Sequence, residues 1–188
     1  MKHIAIFASG EGTNAENIIR CFKHDDVIRV AIVLSDQKNA NVLKRAANLN
    51  ISARAFTNHD LFETDEILKL LKELKIDLIV LAGFLKLIPK KIIDEFKGRI
   101  INIHPALLPK FGGKGMYGMN VHQAVYNAKE KETGITIHHV NEKFDEGEII
   151  FQEKFAVDEN DSPEKILEKI RKLELEFYPK VIEGLLKK

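Results

Sequence analysis

Short apolar runs recur along this chain with longer amphipathic segments between them. That alternation leaves few folds open, because each run reads as a strand and each segment after it as a helix covering the sheet. The clearest run, Leu78-Ile79-Val80-Leu81-Ala82, has no polar position, as a central parallel strand buried on both faces requires. Other strands are predicted at residues 3–8, 28–34, 52–56, 100–103, 135–140 and 149–157. Helices are predicted at 13–22, 41–48, 61–74, 89–96, 120–128 and 162–186. Ser162-Pro163 suits the start of the last helix, and Pro179 should bend or interrupt it. The final two strands are joined by a short acidic loop, which predicts an antiparallel addition. The expected fold is therefore α/β: one Rossmann-like three-layer domain over residues 1–188, with a mostly parallel twisted sheet of about seven strands and a long C-terminal helix.

Composition removes several function classes. Hydrophobic residues make up 45% and charged residues 30%, and no apolar stretch approaches the roughly 20 residues of a membrane helix, so no membrane role is expected. Lys and Arg total 29 against 28 Asp and Glu, a net +1 that supplies no global field for a nucleic acid. The N-terminal apolar run is short and leads into a turn, so it reads as a strand rather than a secretion signal. A lone Cys21 excludes an intramolecular disulfide and fits a reducing, cytoplasmic compartment; the helical pattern around it suggests a core position.

Gly10-Glu11-Gly12-Thr13-Asn14-Ala15 matches G-x-G-x-x-G/A between a strand and a helix. Glycines there let the backbone approach an anion, and the free N–H groups of the helix start can hold a phosphate. A dinucleotide would further need a carboxylate for its ribose, and Asp36 after the second strand is the candidate.

Side chains alternate along a strand, so Asn102 and His104 point to one side of it, roughly 6–7 Å apart. Pro105 then turns the chain out at the carboxyl end, where open α/β sheets bind ligands. An amide and an imidazole side by side can hold the oxygen of a tetrahedral intermediate in acyl transfer.

Ile101-Asn102-Ile103-His104-Pro105-Ala106-Leu107-Leu108-Pro109 resembles the signature of the folate-dependent formyltransferases, and Leu81-Ala82-Gly83-Phe84 resembles the element before their folate pocket. The Ser9–Asn14 loop is similar to that of the glycinamide ribonucleotide (GAR) transformylase branch, and motif order agrees from residue 4 to about residue 180. The resemblance implies transfer of a formyl group from 10-formyltetrahydrofolate, as co-substrate, to the glycyl amine of GAR in purine biosynthesis. It implies Asn102, His104 and Asp145 as the catalytic residues, although spacing alone does not separate Asp145 from Glu142, Glu146 or Glu148. Asp145 beside His104 would raise the imidazole pKa and support proton relay through water. GAR would be held by Gly12, Thr13, Asn14 and Glu174, and the folate by Leu85, Lys86, Leu87, Ile88, Asn102, Asn141 and Phe144.

Two features depart from many relatives. The loop Phe111-Gly112-Gly113-Lys114-Gly115-Met116-Tyr117-Gly118 is longer than their Pro-Gly turn and should be mobile beside GAR, and Lys86 stands where Arg is frequent. Methionyl-tRNA formyltransferase and formyltetrahydrofolate deformylase share the catalytic core but resemble longer chains. A nucleotide-binding regulatory module would use the glycine loop without needing Asn102 and His104. Metal catalysis is disfavoured, because His138 and His139 point to opposite faces of a strand and no H-E-x-x-H or paired cysteines occur, so no metal is expected. The partners expected are the two small-molecule substrates, with the chain a monomer or homodimer.

Overall fold

The structure, a computed structural model, describes residues 1–187. Its strands are β1 (Lys2–Phe7), β2 (Ile28–Ser35), β3 (Ala53–Ala55), β4 (Leu78–Leu81), β5 (Ile100–His104), β6 (Glu132–His139) and β7 (Ile149–Ala156). They form one sheet in the order β3-β2-β1-β4-β5-β6-β7. Pairs from β3 through β5 are parallel, while β5–β6 and β6–β7 are antiparallel.

Two-residue alternation divides the apolar side chains between two cores. Ile4, Ile6 and Ala8 enter one and Ala5 and Phe7 the other; in β4, Leu78 and Val80 oppose Ile79 and Leu81 in the same way. Helices α1 (Thr13–Cys21), α2 (Asn41–Asn48), α5 (Met119–Asn127) and α6 (Pro163–Leu186) bring buried residues to the first core. Helices α3 (Glu66–Glu73) and α4 (Lys90–Glu95) bring Ile67, Leu71 and Ile92 to the second. The result is the expected three-layer α/β arrangement.

Three local expectations need correction. The helix foreseen over 61–74 is divided into a π-helical turn, His59–Glu63, and α3. Thr64 is extended between them, and its hydroxyl donates to the Asp60 carbonyl and accepts from Glu66 N–H, a local alternative to helix continuation. Leu61 and Ile67 remain fully buried, so both pieces keep their apolar anchors. Cys21 is exposed, because Ala15, Ile18, Ile19 and Phe22 fill the inward face of α1 and its C-cap.

Finally, α6 runs without interruption through Pro179. Proline removes the N–H that the Leu175 carbonyl would otherwise accept. Asn17 Nδ2 of α1 donates to that carbonyl at 2.7 Å. One turn of α6 is thus completed by its neighbour. Beside it, fully buried Tyr178 donates its hydroxyl to Leu81 O at 2.9 Å, tying α6 to the end of β4.

β1 lies between β2 and β4, so the chain winds outward from β1 in one direction and then in the other. The connections leaving β1 and β4 therefore part at their carboxyl ends, where a crevice opens.

Candidate active site

The glycine loop occupies that crevice. Gly12 caps α1 with φ 78°, in the left-handed region, and no side chain caps the helix, so the first N–H groups remain free for an anion. A Cβ at Gly12 would collide with Val42 of α2, which shows how closely loop and helix pack. Val42 N–H also donates to Gly10 O at 3.1 Å.

From this loop a cavity of about 680 Å³ runs to the end of β5. Gly12, Thr13 and Asn14 line one end and Asn102, His104 and Asp145 the other, with Glu174 and Arg171 of α6 along one wall. Asn14 Nδ2 donates to Glu174 Oε2 at 3.0 Å. Burial holds the Glu174 carboxyl above its usual pKa despite Asn14 and nearby Arg171. Glu174 is therefore a half-buried, hydrogen-bonded group rather than a solvated helical carboxylate.

At the far end the sheet converges polar groups from β5, β6 and the acidic loop. Asp145 Oδ2 lies 3.5 Å from His104 Nδ1, and its Oδ1 lies 3.6 Å from His138 Nε2. Asn102 Nδ2 is 3.2 Å from His138 Nε2 and 3.4 Å from Asp145 Oδ1. The cross-strand register opposes Asn102 to His138, which brings the second histidine into the cluster. Asp145 adopts φ 57° and accepts from Gly113 N–H at 3.0 Å. Gly147 lets this loop return against β6, since a Cβ there would run into the His139 carbonyl.

The electrostatics differ from expectation at His104. Burial lowers its pKa, and the opposing pull of Asp145 and the Phe111 carbonyl does not overcome it. The imidazole is therefore neutral at pH 7, and a proton on Nε2 donates to Phe111 O at 2.8 Å. Asp145 is also buried, yet His138, His104 and the Gly113 N–H keep its pKa below the usual value, so it stays ionised. A neutral imidazole, its proton on Nε2, thus turns Nδ1 towards a charged carboxylate.

Of the folate candidates, Leu85 lines the main cavity. Lys86, Leu87, Ile88, Asn102 and Phe144 surround an adjoining cavity of about 40 Å³. Asn141 lines neither; its Oδ1 accepts from Lys143 N–H at 2.9 Å and shapes the acidic loop. The Lys86 ammonium turns to the Asp36 carboxylate, 3.0 Å away. That carboxylate is only 2% exposed, so the ribose-binding role weighed for Asp36 has no open carboxylate to serve it.

Sequence reasoning missed Arg171 and passed lightly over His138. Arg171 lies three residues before Glu174 on the same helical face, a detectable spacing. The place of His138 depends on strand register, which no local pattern gives. The 111–118 loop is joined to the cluster through Phe111 O and Gly113 N–H, and Lys114 and Tyr117 line the cavity. Among the described residues no group of three or more His, Cys, Asp or Glu side chains is placed to hold a metal, and no helix is long and apolar enough to cross a membrane.

An open α/β sheet with free helix-start N–H groups at one end of a cavity and an Asn–His–Asp cluster at the other is the arrangement that a group-transfer enzyme of acyl type requires. The formyl transferase family model matches residues 2–182, and the chain belongs to that family. The phosphoribosylglycinamide formyltransferase of Haemophilus influenzae is 38% identical over 188 residues, covering 97% of this chain and 86% of that protein. The Bacillus subtilis enzyme of the same name is 38% identical over 192 residues, covering 99% and 95%. The crystal structure of phosphoribosylglycinamide formyltransferase from Bacillus halodurans superposes with a TM-score of 0.88 at 37% identity, covering 100% of this chain and 96% of that one.

Proposed function

We propose that this chain is a phosphoribosylglycinamide formyltransferase of purine biosynthesis, transferring the formyl group of 10-formyltetrahydrofolate to the glycyl amine of GAR. The observation that carries this reading is the single cavity joining the uncapped start of α1 to the Asn102–His104–Asp145 cluster. GAR has a phosphate at one end and a nucleophilic amine at the other. In this reading its phosphate lies on Gly12, Thr13 and Asn14, its ribose meets Glu174, and its amine reaches the cluster.

The neutral amine attacks the formyl carbon, forming a C–N bond and placing negative charge on the formyl oxygen. Asn102 and His104 donate to that oxygen, the first giving up its contacts to His138 and Asp145 and the second its bond to Phe111 O. Asp145 attracts the proton that the amine becomes ready to lose, and an ordered water carries it to N10 of the folate as the C–N10 bond breaks. Tetrahydrofolate and formyl-GAR leave, and atoms and charge balance.

Folate recognition falls to Leu85–Ile88, Asn102, Asn141 and Phe144, where apolar walls suit a flat ring. The cavity of about 40 Å³ beside Lys86, Leu87 and Ile88 adjoins the larger one, which Leu85, Asn102 and Phe144 also line and which has room for a bicyclic ring. We expect residues 1–188 to act as one formyltransferase domain, cytoplasmic, as a monomer or homodimer, without nucleic acid or metal.

Mixing the purified chain with GAR and 10-formyltetrahydrofolate should release tetrahydrofolate and form formyl-GAR in equal amounts. Formate released at the same rate without GAR would instead identify a hydrolase and overturn the assignment.

A further inference from the structure

Ser9, Asp36 and Lys86 meet behind the two substrate sites. Ser9 directly precedes Gly10 of the phosphate loop; its N–H donates to Gly83 O at 2.9 Å, and its Oγ accepts from Leu85 N–H at 3.1 Å. The hydroxyl proton remains to be placed, and the Asp36 carboxylate lies beside it. Asp36 Oδ2 accepts from Gln37 Nε2 at 2.9 Å and pairs with Lys86 Nζ at 3.0 Å. Lys86 also donates to Asn58 Oδ1. Asp36 Oδ1 is buried and has no hydrogen-bond partner among the described residues, which leaves it open to the Ser9 hydroxyl beside it.

A buried ion pair contributes little net stability, because desolvation of both charges offsets their attraction. What such a pair supplies is geometry. Here both arms end on substrate-binding segments: Ser9 starts the loop assigned to the GAR phosphate, and Leu85-Lys86 starts the segment assigned to folate. We propose that Asp36 is a positioning residue that holds these two segments in register through Ser9 and Lys86, an inference resting on the substrate assignment above. It touches neither substrate. Its effect is to hold both segments in their binding arrangement before either substrate arrives, so that its loss weakens the binding of both.

Steady-state kinetics of Asp36→Ala test the inference. The KM values for GAR and for 10-formyltetrahydrofolate should both rise, each about tenfold, while kcat changes less than about threefold. Asp36→Asn, which keeps a planar acceptor for Lys86 and Ser9, should recover most of the loss. A lower melting temperature with both KM values unchanged would show a merely structural carboxylate and overturn the proposal, and so would a rise in only one KM. If Asp36→Ala does not fold, Ser9→Ala removes one hydroxyl and carries the same paired readout. Inactivity of the wild type with both substrates would sink the assigned activity and this inference together, whereas an active wild type with unmoved KM values in the variants would sink the coupling alone.

Discussion

Asp145 is the residue on which the proposed chemistry turns, and its environment makes a sharp expectation. It is ionised despite burial because His138, His104 and the Gly113 N–H favour its charged form, so removing that charge should leave the fold while disarming the site. Asp145→Asn should lower the single-turnover rate by about 10² to 10⁴, the range for lost acid–base assistance. Stopped-flow measurement of tetrahydrofolate formation reads this directly, and an unchanged rate removes Asp145 from the mechanism. Gly12 gives a second expectation. Its φ of 78° and the closeness of Val42 leave no place for a methyl group, so Gly12→Ala must shift either the loop or α2. Strain and overpacking together should cost about 1–3 kcal/mol and raise the KM for GAR. A variant with wild-type affinity for GAR would mean that the phosphate lies elsewhere. Legibility at this scale followed the range of the forces. Asn102 and His104 could be paired from strand alternation alone, and the glycine loop from its spacing. Asp145 could be told from neighbouring acids only by resemblance, since its place depends on a left-handed φ and on Gly147 passing under β6. Nothing local foretold that Lys86 would turn to Asp36.

Elements were legible where one apolar period ran uninterrupted, as in β4, and less so where side chains compete with the backbone. The run over 61–74 has helical spacing throughout, yet Thr64 and Asp60 exchange hydrogen bonds with the main chain and break it in two. Pro179 shows the converse, a breaker tolerated because a neighbouring helix satisfies the carbonyl it orphans. That explanation is testable by a double-mutant cycle. Asn17→Ala should leave the part-buried Leu175 O without its side-chain donor and cost about 1 kcal/mol. In a Pro179→Ala background the restored residue-179 N–H can serve that carbonyl, so the same Asn17 substitution should cost clearly less. Urea denaturation of the four proteins measures the coupling. Additive costs would show that Asn17 does not complete α6.

At the scale of the whole molecule, packing buries imidazoles in the walls of the site, and this makes folding itself respond to acid. His122 of α5 is 1% exposed, its Nδ1 is buried without a hydrogen bond, and its pKa falls from an ordinary 6.5 to about 4 through burial first, then through Arg171 and His104. His104 is shifted in the same direction. Because an unfolded chain takes up the His122 proton near pH 6.5 and the folded chain only near pH 4, the unfolded state binds more protons throughout that interval. The stabilising contribution of neutral His122 is thus complete above pH 6.5 and is lost progressively as pH falls towards 4. One such group changes stability by at most about 1.4 kcal/mol per pH unit, on the order of 3 kcal/mol across the interval. Replacing His122 with Gln removes the proton uptake while keeping a polar side chain. Unfolding free energies from urea titrations between pH 4.5 and 7.5 should therefore fall less steeply with acid in His122→Gln than in the wild type. Parallel curves would mean that His122 titrates alike in both states, and the acid sensitivity of the fold would then have to come from His104 and the paired carboxylates.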